Sequence, residues 1–285
     1  SPTGIGPTLD SAGGAAMTAA IRSEFRKFFT TRMWWGMAIA MLVTGAAFAG
    51  LFAWLFTSGG AGDGGPGGAA LPTTDAQLAT VVFTAGISVG YLLTLAIGIM
   101  TIGSEYRHKT ITASFLATPR RGVVMGAKVV SLLVIGAFYG LLSLAGAVLS
   151  GTLVLTSQGV SPFADPSIWR TLALGLLVLG LWALIGLGAG ILIPNQVAAL
   201  LISIGVAWIV EPIVAGLLPL TSWGGNLAPY FPSQATSAAL GQTASSFGGT
   251  TQQSLTWWGG ALVLAGYAAL MAGIGTWRTM RADIS

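Results

Sequence analysis

The chain contains no cysteine and one histidine, His108. Without thiols there is no disulfide framework, no thiolate metal site and no cysteine nucleophile. His108 stands beside Lys109, far in sequence from any acid inside an apolar run, so no triad or metal cluster gathers around it. Charge is scarce as well: only 7% of the 285 residues are charged and 54% are hydrophobic, whereas a soluble domain carries roughly a quarter charged residues. So few charges cannot solvate a globular surface. The sequence pI is near 9.8, but its Lys and Arg are scattered between apolar runs rather than gathered on one domain, which argues against nucleic acid as a partner. The stretch from Gly122 to Lys128 lacks both the adjacent Gly-Lys pair and the following Ser or Thr of a phosphate loop. ATP hydrolysis by the chain alone is not expected.

What is present is apolar sequence in long runs. Many of the 42 glycines lie inside those runs, where membrane helices use them for close packing. The pairs Gly136/Gly140 and Gly86/Gly90 are read in that way. Residues 1–16 are small and Gly-rich and read as a disordered tail. Between Met17 and Met33, Ile21, Phe25, Phe28 and Phe29 share one helical face, opposite Ser23, Arg26, Lys27 and Thr30. This is an amphipathic helix expected to lie on a membrane, basic side toward the headgroups. Residues 34–281 then read as a six-span transmembrane domain, with spans near 34–57, 78–103, 123–155, 168–193, 197–220 and 255–277. The fold class expected is an all-α membrane protein. The stretch Thr221–Ser254 is uncharged and carries Trp223, Pro229, Tyr230, Phe231 and Pro232, which suits a loop held at the interface.

Basic residues near span ends stay in the cytoplasm. Of the 12 Lys and Arg, only Arg170 falls on the second side of a six-span topology. Both termini are therefore expected in the cytoplasm. Abundant Ala and Gly, with Arg outnumbering Lys, fit a bacterial plasma membrane protein.

The loop after the second span, Gly103 to Arg121, holds Glu105, Arg107, a Thr110-Ile111 step, Phe115, Leu116, Pro119 and further basic residues. It resembles the cytoplasmic loop of type-2 ABC transporter permeases. The resemblance runs from Met17 to Arg281: Met17–Met33 is similar to the family's amphipathic connector helix, and Tyr230 to Leu240 to its re-entrant external element. It implies that Glu105, Arg107, Thr110, Ile111, Phe115, Leu116 and Pro119 form a coupling helix and its flanks, with Ile111 and Phe115 presented to an ATPase subunit. It also implies a second copy of the chain or a related permease as partner, with ATP and magnesium bound by the ATPase and no cofactor in this chain. The long Gly-rich loop after the first span and the uncharged turn Pro194-Asn195-Gln196 depart from the family pattern.

In the second span, Thr80, Thr84, Ile87, Tyr91, Thr94, Gly98 and Thr101 recur at spacings of four and three, along one helical face. In the fifth, Ala199, Ser203, Ala207 and Glu211 recur every four residues and end on an ionisable residue deep in a span, followed by Pro212. The candidate substrate path comprises Thr84, Tyr91, Thr94, Ser203 and Glu211. The function expected is the permease subunit of an ATP-driven exporter of a hydrophobic or amphipathic substrate such as a drug, peptide or lipid, in contact with membrane lipid. Two other classes are compatible with the residues. One is a proton-coupled secondary transporter using Glu211, although no inverted repeat is visible; the other is a membrane scaffold or sensor.

Overall fold

Apolar runs of 20 residues or more, with polar or helix-breaking residues at their ends, have few ways to satisfy their backbone except as helices. The computed structural model describes residues 9–59, 71–107, 121–242 and 254–281, and helices and turns are the only regular structure among them. In order they are α1 (Leu9–Thr30), α2 (Met33–Thr57), α3 (Asp75–Thr84), α4 (Ile87–Arg107), α5 (Arg121–Ser157) and α6 (Ser167–Leu192). Then come α7 (Gln196–Gly205), a π-helical turn (Val206–Val210), α8 (Glu211–Leu217), three single 3-10 turns, α9 (Pro232–Ala239) and α10 (Trp257–Arg281). Among the described residues six helical stretches are long and apolar enough to cross a membrane: Met33–Thr57, Asp75–Glu105, Gly122–Ser157, Ser167–Leu192, Gln196–Leu220 and Trp257–Thr279. This is the architecture of a multi-pass membrane protein. Leu153, Leu201 and Leu220 stand about 70% exposed on its outside, a position that lipid rather than water suits.

Helix starts follow from short polar side chains. Thr74 Oγ1 accepts from the Gln77 amide at 3.2 Å to start α3, and Asn195 Oδ1 accepts from the Val197 and Ala198 amides at 3.0 and 3.2 Å to start α7. The uncharged turn around Asn195 is therefore a cap. Two boundaries differ from the expectations above. α1 begins at Leu9, so half of the segment read as tail is helical, in keeping with the helix propensity of its alanines. The second span is not one helix, because the chain turns at Ala85-Gly86 between α3 and α4. The stripe from Thr80 to Thr101 is thus two stripes, joined where Gly86 approaches the Gly45 backbone.

α6 sits at the centre, against α4, α5 and α10; α2 packs along α5, α9 against α10, and α1 against the start of α5. The α4–α6 contact is backbone-close and reciprocal. A Cβ at Gly98 would collide with the Ala183 carbonyl oxygen, and one at Gly186 with the Leu95 carbonyl oxygen. Gly98, placed on the path face by its spacing, is a packing glycine. Gly136 likewise meets Gly180 of α6.

Helix ends agree with the alternation of six spans. Lys128 of α5 meets Glu105 of α4, and Arg278 near the end of α10 donates to the Leu192 carbonyl at the end of α6, at 2.9 Å. Arg170 lies at the opposite end, over the Trp257 ring.

The glycine contacts make a paired prediction. Gly98→Ala forces backbone apart along the centre of the fold and should lower stability by about 1–3 kcal/mol, whereas Gly266→Ala on α10, with nothing within 4 Å, should leave it unchanged or slightly raised. Thermal unfolding of the two purified variants in one detergent checks both.

Candidate functional sites at the two membrane faces

Lys128 lies in the second turn of α5, beside Val124, Met125 and Ala127, and is 0% exposed. A lysine cannot be buried there without carboxylates, and two arrive from distant parts of the chain. Its Nζ donates to Glu24 Oε2 of α1 at 2.9 Å and to Glu105 Oε1 of α4 at 2.6 Å. Lys27, one turn from Glu24, adds a second ammonium, donating to Glu24 Oε1 at 3.1 Å and Glu105 Oε1 at 3.2 Å. Partial burial by itself would lower the Lys27 pKa, but the charges of Glu105 and Glu24 outweigh it and hold the value above the ordinary lysine range. That share of the stability is complete below the ordinary lysine pKa and is lost only as pH rises through the higher folded value. Aromatic packing strengthens the same junction: Phe28 is edge-on to Tyr139, whose hydroxyl donates to the Trp34 carbonyl at 2.9 Å.

Lys128 is thus drawn into the fold, and Lys27, although itself exposed like Arg22 and Arg26, reaches from the basic side of α1 to Glu24 and Glu105.

The second site lies in the outer half of the fold if the junction above is taken as the inner end. Glu211 is 7% exposed, and its Oε1 accepts from the Ser233 amide in the first turn of α9. Phe231, the residue before α9, offers no side-chain cap, so the Glu211 carboxylate does that work from a distance. The π turn aims it. In an unbroken helix, residues twelve apart are about 120° out of phase, yet Ala199, Ala207 and Glu211 are all buried while Trp208, Ile209 and Val210 between them are exposed. One wide turn, closed by the Glu211 N–H to the Val206 carbonyl, returns the stripe to a single face.

Around Glu211 most of the polar groups are paired, the Ser233 hydroxyl excepted. The Tyr91 hydroxyl donates to the Ala207 carbonyl at 3.3 Å; the Tyr91 ring lies 4.6 Å from that of Trp182; and Trp182 Nε1 donates to Thr236 Oγ1 at 3.0 Å. Thr236 in turn donates to the Pro232 carbonyl, and Gln242 Nε2 to Thr84 Oγ1 at 2.7 Å. The second, fourth and fifth spans thus meet α9 in one cluster of hydrogen bonds and ring contact.

Of the sequence-derived path residues, Tyr91 and Glu211 meet at this cluster and Thr84 borders it through Gln242. Thr94 is fully buried, its hydroxyl spent on the Tyr91 carbonyl at 3.0 Å, and Ser203 is half-buried on α7. Of the coupling residues, Glu105 is in the ion network and Arg107 ends α4; Thr110, Ile111, Phe115, Leu116 and Pro119 lie outside the described residues. Glu24, Trp182, Ser233, Thr236 and Gln242 were not singled out by sequence. A charged or indole group in an apolar run that must find a partner was the available signal for Lys128 and Trp182. No family model matches the chain, and a comparison with curated proteins finds no similar sequence.

Lys128→Ala removes the buried ammonium between two carboxylates and leaves only the part-exposed Lys27 to bridge them. Stability should fall by about 3–5 kcal/mol, and trypsin should cut faster at Arg22 and Arg26 as α1 loosens. Thermal unfolding and a cleavage time course measure the two effects.

Proposed function

We propose that this chain is the membrane subunit of an ABC exporter that works as a pair with a second copy or a related permease, driven by two ATPase subunits. One observation carries this reading. The ion network ties α1 to the two helix ends that flank residues 108–120, the segment resembling a coupling helix. A push delivered there moves Glu105 and Lys128, and neither can leave the other without stranding a buried charge. α1, α4 and α5 therefore shift as a body, which is what a rocking, alternating-access movement requires. In this reading α1 is the connector helix on the cytoplasmic face of a bacterial plasma membrane, and the segment of 3-10 turns and α9 is the external element before the last span. ATP and magnesium belong to the partner, and this subunit performs no chemistry.

Glu211 is the polar element of the path, on the buried side of α7 and α8, whose other side, with Val197, Leu201, Trp208 and Ile209 exposed, is the pairing face. An apolar face backed by one buried carboxylate suits a hydrophobic or amphipathic cargo. Its engagement with the α9 amide disfavours the secondary-transporter reading, since a proton carrier needs a carboxylate that changes partners.

Isolated chain should show no ATP hydrolysis, and the complex with its ATPase should show cargo-stimulated hydrolysis; activity that survives repurification of the chain alone would remove the division of labour. Within the complex, Glu211→Gln keeps an acceptor for Ser233 but loses the charge. Assembly should be normal while cargo stimulation falls by about tenfold, the scale of one charged hydrogen bond. Wild-type stimulation in that variant would return Glu211 to a purely structural role.

A further inference from the structure

Beside the ion network lies a part-enclosed cavity of about 410 Å³, within the range of about 300–1,000 Å³ typical of ligand pockets. Its wall is built where α1 meets α2 and from the ends of α4 and α5, with Gln196 at the start of α7. All of these are on one side of the six spans, so the cavity sits at the depth of one membrane interface. Its polarity is graded. Along α5 the lining runs inward from Lys128 through Ser131 to Leu132 and Ile135, and along α4 from Glu105 through Thr101 to Met100. Charged groups are outermost and aliphatic groups deepest, the order in which a lipid presents head and chain.

Two atoms of lining residues are left over by the protein. Glu105 Oε2 and Ser131 Oγ are buried and have no hydrogen-bond partner among the described residues. The ion network uses only the other oxygen of Glu105. An unmatched buried carboxylate oxygen is costly, and what it lacks is a donor. An apolar occupant leaves that cost in place, and an anionic one adds repulsion.

We propose that this cavity holds one phospholipid of the adjoining leaflet whose head carries N–H donors, a phosphatidylethanolamine, with its ammonium directed to Glu105 and the upper part of one chain against Met100, Leu132 and Ile135. The Ser131 hydroxyl and the positive charge of Lys27 stand on the phosphate side. The lipid is a fitted part of the junction rather than cargo, and the assignment does not depend on the exporter reading.

The test uses the purified full chain, delipidated in detergent and given equal amounts of phosphatidylethanolamine and phosphatidylcholine, whose quaternary nitrogen has no N–H. Native mass spectrometry counts retained lipids. The expected result is one tightly held phosphatidylethanolamine per chain, preferred over phosphatidylcholine by about tenfold, the worth of one hydrogen bond to a charged group. Met100→Trp, which fills the deep end, should abolish that retention. Ser131→Ala, which leaves the ion network intact, should weaken it several-fold with the unfolding temperature unchanged. Equal retention of the two lipids, no retained lipid, or retention unaltered in Ser131→Ala and in any folded Met100→Trp would overturn the proposal and leave the cavity to water or bulk lipid.

Discussion

A lysine held between two carboxylates decides how the first helix meets the rest of the molecule. Each ion taken out of water costs several kcal/mol, and only near-ideal pairing offsets it; Lys128 has that pairing, with both carboxylates within 3 Å. The arrangement adds little net stability over an apolar core. Its effect is selectivity, because any alternative docking of α1 leaves an ammonium or a carboxylate exposed to hydrocarbon. Phe28, Tyr139 and Trp34 pack a position that the charges have already chosen.

Farther into the bilayer, apolar surface gives no such choice, since lipid tails are as apolar as leucine. Close backbone approach takes over. Gly98 and Gly186 bring α4 and α6 together, and Gly45 and Gly146 do the same for α2 and α5 against Ser143 and Leu42. Gly136 meeting Gly180 joins the two pairs through α5 and α6. α7 and α8 share little of this packing and keep a broad apolar face outward.

How far the sequence discloses this depends on the range of the interaction concerned. The six spans were legible because length and hydropathy are local properties, and the stripe ending at Glu211 was legible because a four-residue spacing marks one face. The break at Ala85-Gly86 was not, since neither residue forbids a helix and Gly45, which Gly86 approaches, belongs to another span. Nor was the Glu24–Lys128–Glu105 network, whose members are 23 to 104 residues apart. In the sequence they look like three ordinary charges near span ends. Glu211 was recognisable as anomalous, but its partner was hidden, because a backbone amide carries no mark of identity in a sequence.

The π turn before Glu211 has a mechanical meaning. A wide turn is one surplus residue taken up by a helix, and the surplus can travel. Were α7 to run straight into α8, the two halves would rotate relative to each other by about 100°, one residue's share of a turn. Ala199 and Ser203 would then leave the face that Glu211 occupies. The fifth span is thus a screw with one thread in hand, and the pairing of Glu211 with α9 is the stop that holds its setting.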